Sequence, residues 1–171
     1  IGDVMIGRGM GEVIESQDAK LALGSKVFGY VGWQEFADMP RSALTVLPED
    51  DLMLTRLGPL GSTGLTAYFG LLKVGRPEPG DTVVVSGAAG AVGSMVCQIA
   101  KIAGCRVIGV AGGPKKCAWL VEEAGIDAAI DYKNESIKGR LKELCPAGIN
   151  VFFDNVGGDV LNDALTRIAP H

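Results

Sequence analysis

Gly87, Gly90 and Gly93 stand three residues apart where one hydrophobic period gives way to another. Thr82 to Ser86 (TVVVS) is a β-branched run suited to a strand buried on both faces. From Ala91 the apolar residues take helical spacing, with Val92, Met95, Val96, Ile99 and Ala103 on one side and Ser94, Gln98 and Lys101 on the other. In a strand, glycine turn and helix of this kind, a tight turn, close backbone approach to a pyrophosphate and close helix-on-strand packing each exclude a side chain. A phosphate would rest on the free N–H groups of the helix start, near Ala91 to Gly93. The first glycine of G-x-G-x-x-G is Ala88 here, with Gly87 one residue early. A buried turn with no ligand fits the same residues, so the following strands must decide.

They point to a phosphorylated ligand. An NAD-binding unit places Asp or Glu about 20 residues beyond the glycines to hold a ribose hydroxyl. Counting on from Gly93 reaches AGGPKK, which has no acid. Lys115 and Lys116 instead occupy the first turn of an expected helix, where the macrodipole disfavours cations. A nearby anion reverses that sign, and the 2′-phosphate of NADP is the candidate; two solvated surface lysines are the alternative. The missing acid also counts against a methyl donor held by a carboxylate. Ligands of open parallel sheets bind outside the carboxyl ends of the strands. Those ends, Ser86 to Gly90, Ala111 to Gly113, Asp131 to Lys133 and Asp154 to Gly158, all carry small or polar residues, as a long ligand laid across the sheet requires.

Alternation of strand and helix supplies the frame. Strands are expected at 106–110, 128–130 and 150–153, and helices at 114–124, 136–145 and from about Val160, which implies a parallel sheet. Pro114 opens its helix and Gly125 follows it. Residues 1–47 carry short β-type pieces at 4–6, 11–15, 26–31, 34–37 and 44–47, as in part of a small β domain. Residues 48–79 form a bridge with helices at about 49–57 and from Ser62 or Thr63 through LTAYFGLL. The Rossmann-type part is then 80–171, with four strands where a complete dinucleotide domain has six. The chain starts at Ile1 without a methionine, and both sheets look unfinished, so it reads as a piece of a longer protein.

At 171 residues and 47% hydrophobic composition, the chain can fill a core. A net charge of −4 argues against a nucleic-acid surface. Val83 to Ala100 is uncharged for 18 residues, but glycines and a polar helical face make it a folded unit instead of a membrane span. Four cysteines without a C-x-x-C pair read as reduced core thiols and imply a cytoplasmic setting.

The segments VSGAAGAVGSMVCQIAK, GPKKCAWLVEEAGIDAAIDYK, FFDNVGG and LGSTGLTAYFGLL resemble the zinc-independent medium-chain dehydrogenase/reductases, in the branch of the prostaglandin and curcumin reductases. The likeness covers essentially the whole chain. It implies an α/β fold, a parallel Rossmann-type sheet preceded by part of a GroES-like catalytic domain. It implies an NADPH-dependent oxidoreductase that reduces the carbon–carbon double bond of enones or 2-alkenals by hydride transfer without metal. By motif, Gly90, Ala91, Val92 and Gly93 would meet the pyrophosphate, Lys116 and Tyr132 the 2′-phosphate end, and Asn155 would also lie on the cofactor. The whole protein, about twice this length, would be a homodimer. These residues alone are then expected to be weakly active or inactive. Quinone reduction on the same fold and a non-catalytic NADP-binding or structural protein are the alternatives. No catalytic side chain is assigned; Tyr30 and Tyr68 are the hydroxyl-bearing aromatics outside the cofactor strand.

Zinc-dependent relatives carry G-H-E where this chain has Gly7, Arg8 and Gly9, and a four-cysteine lobe after the segment matching GSKVFGY. With His171 the single histidine and no clustered cysteines, ordinary zinc ligands are not assembled. Dialysed protein is expected to hold no zinc, and elemental analysis finding it at a stoichiometric level would overturn this.

Overall fold

The computed structural model describes residues 2–50 and 52–170. It divides into two compact units, Ile1–Leu57 and Gly58–His171. In the first, β1 (Gly9–Glu12), β2 (Lys26–Gly29) and β3 (Leu44–Val46) make an antiparallel sheet in that order. Val13, Leu21 and Val27 are its small core, with Leu44 packed against them. Glu12 and Lys26 face each other across the ladder as an ion pair.

The pieces expected at 4–6 and 34–37 are not strands. Residues 5–7 meet the chain at 32–33 through only two backbone bonds, Gly32 N–H to Gly7 O (3.0 Å) and Trp33 N–H to Met5 O (2.9 Å). The helix expected at 49–57 shrinks to one 3₁₀ turn, Leu54–Leu57. Asp50 explains this, because its carboxylate accepts the Leu52 N–H (3.0 Å) and grips the Arg56 guanidinium through both oxygens (2.6 and 2.7 Å), a local alternative to helical bonding.

The second unit opens with α1 (Ser62–Tyr68), which widens without a break into a π-helical segment, Phe69–Gly75. Its glycines let it approach the sheet. A β-carbon at 70 would lie 2.7 Å from the Phe153 ring, and one at 75 would lie 3.0 Å from Val151. Then follow β4 (Thr82–Ser86), α2 (Ala91–Ile102), β5 (Arg106–Ala111), α3 (Pro114–Glu122), β6 (Ala128–Asp131), α4 (Ile137–Leu144), β7 (Val151–Phe153) and α5 (Gly158–Leu165).

The sheet is wholly parallel in the order β6-β5-β4-β7. Val83, Val85 and Val107 bury one face with Val96, Cys97 and Ala100 of α2 and Leu120 of α3; Val84, Ile108, Val110 and Ile130 bury the other with Leu141 and Ala164. Helices thus cover both sides, as β-branched strands apolar on both faces demand. Past α5, Ile168 forms a parallel bridge to Ile149, just before β7, so a fifth chain segment begins beside the four strands. Among the described residues no helix is long and apolar enough to cross a membrane.

Ala88, the residue that breaks the glycine pattern, is fully buried, and its place is made by a glycine on the next strand. A β-carbon on Gly109 would stand 2.8 Å from the Ala88 methyl, 2.8 Å from Ile126 and 3.1 Å from Leu120. Gly109→Ala should therefore cost about 1–3 kcal/mol by overpacking. Adding Ala88→Gly should return part of that loss, so that the pair costs less than the sum of the singles in urea unfolding. Strict additivity would mean that the two positions do not share this space.

Candidate cofactor site

The chain leaves β4 for β5 on one side and reaches β7 on the other, so the sheet reverses its winding at β4. The carboxyl ends of β4 and β7 flank that switch point, where ligands of such sheets bind. Gly87 turns the chain with φ 58°, the Ala88 N–H bonds Val110 O (3.1 Å), and the Gly90 N–H returns to Gly87 O (2.9 Å). Gly90 is the N-cap of α2, and no side chain caps it. The N–H groups of Ala91, Val92 and Gly93 come too early in the helix to have a carbonyl one turn back. Gly93 sits where a β-carbon would be 2.3 Å from Gly87 O and 2.8 Å from the Ala88 Cα, so the helix start lies directly on the turn.

Ser86, fully buried at the end of β4, ties this turn to β7. Its hydroxyl donates to Asp154 Oδ1 (2.7 Å) and accepts the Asn155 N–H (2.7 Å), while Asn155 Nδ2 donates to Ser86 O (2.8 Å). Asp154 Oδ1 also accepts the N–H groups of Val156 (3.1 Å) and Gly157 (3.0 Å). Burial pushes the Asp154 carboxyl up, but the Gly157 N–H, the Ser86 hydroxyl and the Val156 N–H together hold it below the usual aspartate range. Gly157 and Gly158 both have positive φ, so α5 starts at Gly158, two residues before the expected Val160.

The ends of β5 and β6 form a second cluster. Asp131 is 7% exposed, and its carboxylate accepts the Gly113 N–H (2.8 Å) and Lys133 N–H (3.1 Å) on Oδ1 and the Asn134 amide (2.7 Å) on Oδ2. The Gly113 N–H and the Asn134 amide lower its pKa against the effect of burial. The Tyr132 ring lies on Gly112, where a β-carbon would be 2.8 Å from it. Gly113 (φ 96°) is the N-cap of α3, and its carbonyl accepts the Lys116 N–H (3.2 Å). Lys115 and Lys116 are exposed, and neither is in an ion pair among the described residues.

Gly90 to Gly93 and Asn155 therefore adjoin one end of the crevice, joined through Ser86, and Lys116 and Tyr132 share the Gly112–Gly113 turn at the next strand ends. The roles of Ser86, Asp131 and Asp154 were not read from the sequence; their signal was a polar residue at the end of an apolar strand. Tyr68 is 43% exposed with its ring edge-on to Phe69, and Tyr30 stacks under the Arg8 guanidinium in the first unit; neither arrangement marks a catalytic group. Among the described residues no three His, Cys, Asp or Glu side chains are grouped to hold a metal ion; His171 lies outside them.

A family model described as zinc-binding dehydrogenase matches residues 91–171. The NADPH-dependent curcumin reductase of Escherichia coli (strain K12) is 41% identical over 166 residues, which is 96% of this chain and 48% of that protein. Prostaglandin reductase 1 of Bos taurus is 42% identical over 98% of this chain and 52% of its own length. The crystal structure of CurA in complex with NADPH from Vibrio vulnificus superposes with a TM-score of 0.88 at 39% identity, covering 98% of this chain and 50% of that one. The chain thus spans about half the length of the curated relatives it matches. With its parallel sheet, its glycine turn and a likeness that runs almost from end to end, the chain is similar to about half the length of the curcumin and prostaglandin reductases.

Proposed function

We propose that the carboxyl edge of the parallel sheet seats NADP(H), and that the protein reduces the carbon–carbon double bond of enones and 2-alkenals. The observation that carries this reading is the lysine pair at the start of α3 beside the Tyr132–Gly112 contact, with no acid in that first helical turn and no ion pair to either lysine among the described residues. Among the described residues Asp131 is the carboxylate bonded into that turn; it is 7% exposed and already accepts three N–H groups, which disfavours it as the holder of a ribose hydroxyl. The names of the relatives support the same cofactor and substrate class.

In this reading the N–H groups of Ala91, Val92 and Gly93 receive the pyrophosphate at the start of α2. Lys116 and Tyr132 receive the 2′-phosphate. Asn155, held by Ser86 through both its N–H and its side-chain amide, borders the cofactor with its carboxamide oxygen free to accept. The nicotinamide, when bound, supplies the hydride. The remaining step is protonation of the enolate, whose developing charge oriented donors stabilise. Residues 1–47 would be part of the catalytic GroES-like domain, 48–79 the bridge and 80–171 part of the cofactor domain. The family likeness also supports a homodimeric whole protein working in the cytoplasm.

Lys116→Ala tests the cofactor assignment. A hydrogen bond to a charged group contributes about 1.5–3 kcal/mol, so NADPH binding should weaken about ten- to a hundredfold while NADH binding barely changes. Equal weakening of both cofactors would assign Lys116 to the fold and leave Lys115 or Tyr132 to meet the phosphate. Incubation of the whole protein, of which these residues are about half by the length of the relatives, with an enone and NADPH should yield the saturated ketone; consumption of NADPH only with a quinone would replace the substrate class.

A further inference from the structure

Nothing above explains why an aspartate is buried at the last position of β6. It forms no ion pair among the described residues: the carboxylate accepts the N–H groups of Gly113 and Lys133 and the amide of Asn134, and the Lys133 charge adds only the smallest lowering of its pKa. Its own N–H donates to Glu135 Oε2 (2.7 Å), and the other Glu135 oxygen pairs with Arg140 Nε (2.9 Å), so the end of β6 is fixed from behind. The next residue, Tyr132, bonds Ala111 O through its N–H (3.1 Å) and lays its ring on Gly112. Asp131 and the residue just after β6, Tyr132, therefore grip two consecutive glycines of the β5–α3 turn, one by a hydrogen bond and one by ring contact. The helix carrying Lys115 and Lys116 begins at the gripped end, with Lys116 N–H on Gly113 O.

We infer that Asp131 is a positioning residue for cofactor choice: by holding the Gly113 N–H it sets Lys116 and Tyr132 at the spacing at which both meet one 2′-phosphate. This rests on the NADP(H) reading above. A carboxylate suits the task because it accepts from Gly113 and Lys133 on one oxygen while the Asn134 amide takes the other. Those donors occupy three of its roughly four lone-pair sites, and at 7% exposure it is largely withdrawn from a ligand. Without it, Gly113 at φ 96° has a neighbour with φ freedom of its own and no side-chain anchor, so the start of α3 can shift relative to β6.

The test compares NADPH and NADH titrations, by nicotinamide fluorescence, for the wild-type protein and for Asp131→Ala, Asp131→Asn and Lys116→Ala. Asp131→Ala should lose about tenfold in NADPH affinity with NADH affinity within about twofold. Asp131→Asn keeps an oxygen for the Gly113 N–H and should retain most of the preference. That rescue is not expected of a residue whose only contribution is charge. If Asp131→Ala does not fold, Asp131→Ser, too short to reach Gly113, takes its place with the same expectation. Equal weakening of both cofactors, or a preference unchanged in the variant, overturns the inference. A preference lost in Lys116→Ala but kept in Asp131→Ala leaves the NADP(H) reading standing and removes only the role of Asp131. A wild-type protein with no preference for NADPH removes both.

Discussion

The carboxyl edge of the parallel sheet depends on one close approach of backbone to backbone, that of α2 on the turn after β4. A β-carbon at 93 would stand 2.3 Å from the Gly87 carbonyl oxygen, well inside any tolerable contact, so the helix start reaches this position only with glycine there. The approach aims three unpaired N–H groups out of the sheet at the switch point. It also sets what the neighbours must be. Ala88 is pressed under the turn, and the strand beside it answers with Gly109 instead of a larger residue. The deviation from the glycine fingerprint is thus accommodated by a compensating deletion of volume about twenty residues along the chain.

Around that packing, buried polar side chains do what the strands cannot. Each strand of the sheet is apolar on both faces, and the loops beyond its end need partners for backbone groups that no ladder supplies. Ser86 and Asp154 supply them between β4 and β7, and Asp131 does so between β6 and the β5–α3 turn. In both clusters the acceptor is a carboxylate whose pKa is lowered by the N–H groups and hydroxyl around it, so it stays ionised and accepting at neutral pH. By linkage, such a group contributes stability above the ordinary aspartate range and loses it as pH falls through its lowered folded-state pKa.

Much of the second unit was legible because its signals are local. The strand at 82–86 and the helix start at Pro114 follow from a change of hydrophobic period and from proline's fixed φ. The first unit was less so. Val4 to Ile6 has strand composition but receives too few backbone bonds to become one, and the acid-rich start of the 49–57 segment turns back on Arg56 instead of propagating a helix. The strand ends were legible as places where polar residues gather. Which partner each residue takes was not, since Ser86 and Asp154 lie 68 positions apart and that contact exists only once β7 is paired to β4.

The electrostatics of the α3 start give the sharpest reason to expect an anion there. Two ammonium groups at a helix N-terminus face its positive end, and the macrodipole there disfavours cations by about 0.3–1 kcal/mol each. No described carboxylate pairs with either lysine, and the one nearest in the bonding network, Asp131, accepts from Gly113, Lys133 and Asn134. The arrangement is mildly unfavourable without an anion, and in the proposed reading, where lysine, tyrosine hydroxyl and helix end would face one phosphate, it would become favourable. A ribose hydroxyl would leave the unfavourable term in place. In that reading, the same residues that make the free corner slightly unfavourable electrostatically would be the ones that separate the phosphorylated cofactor from the plain one.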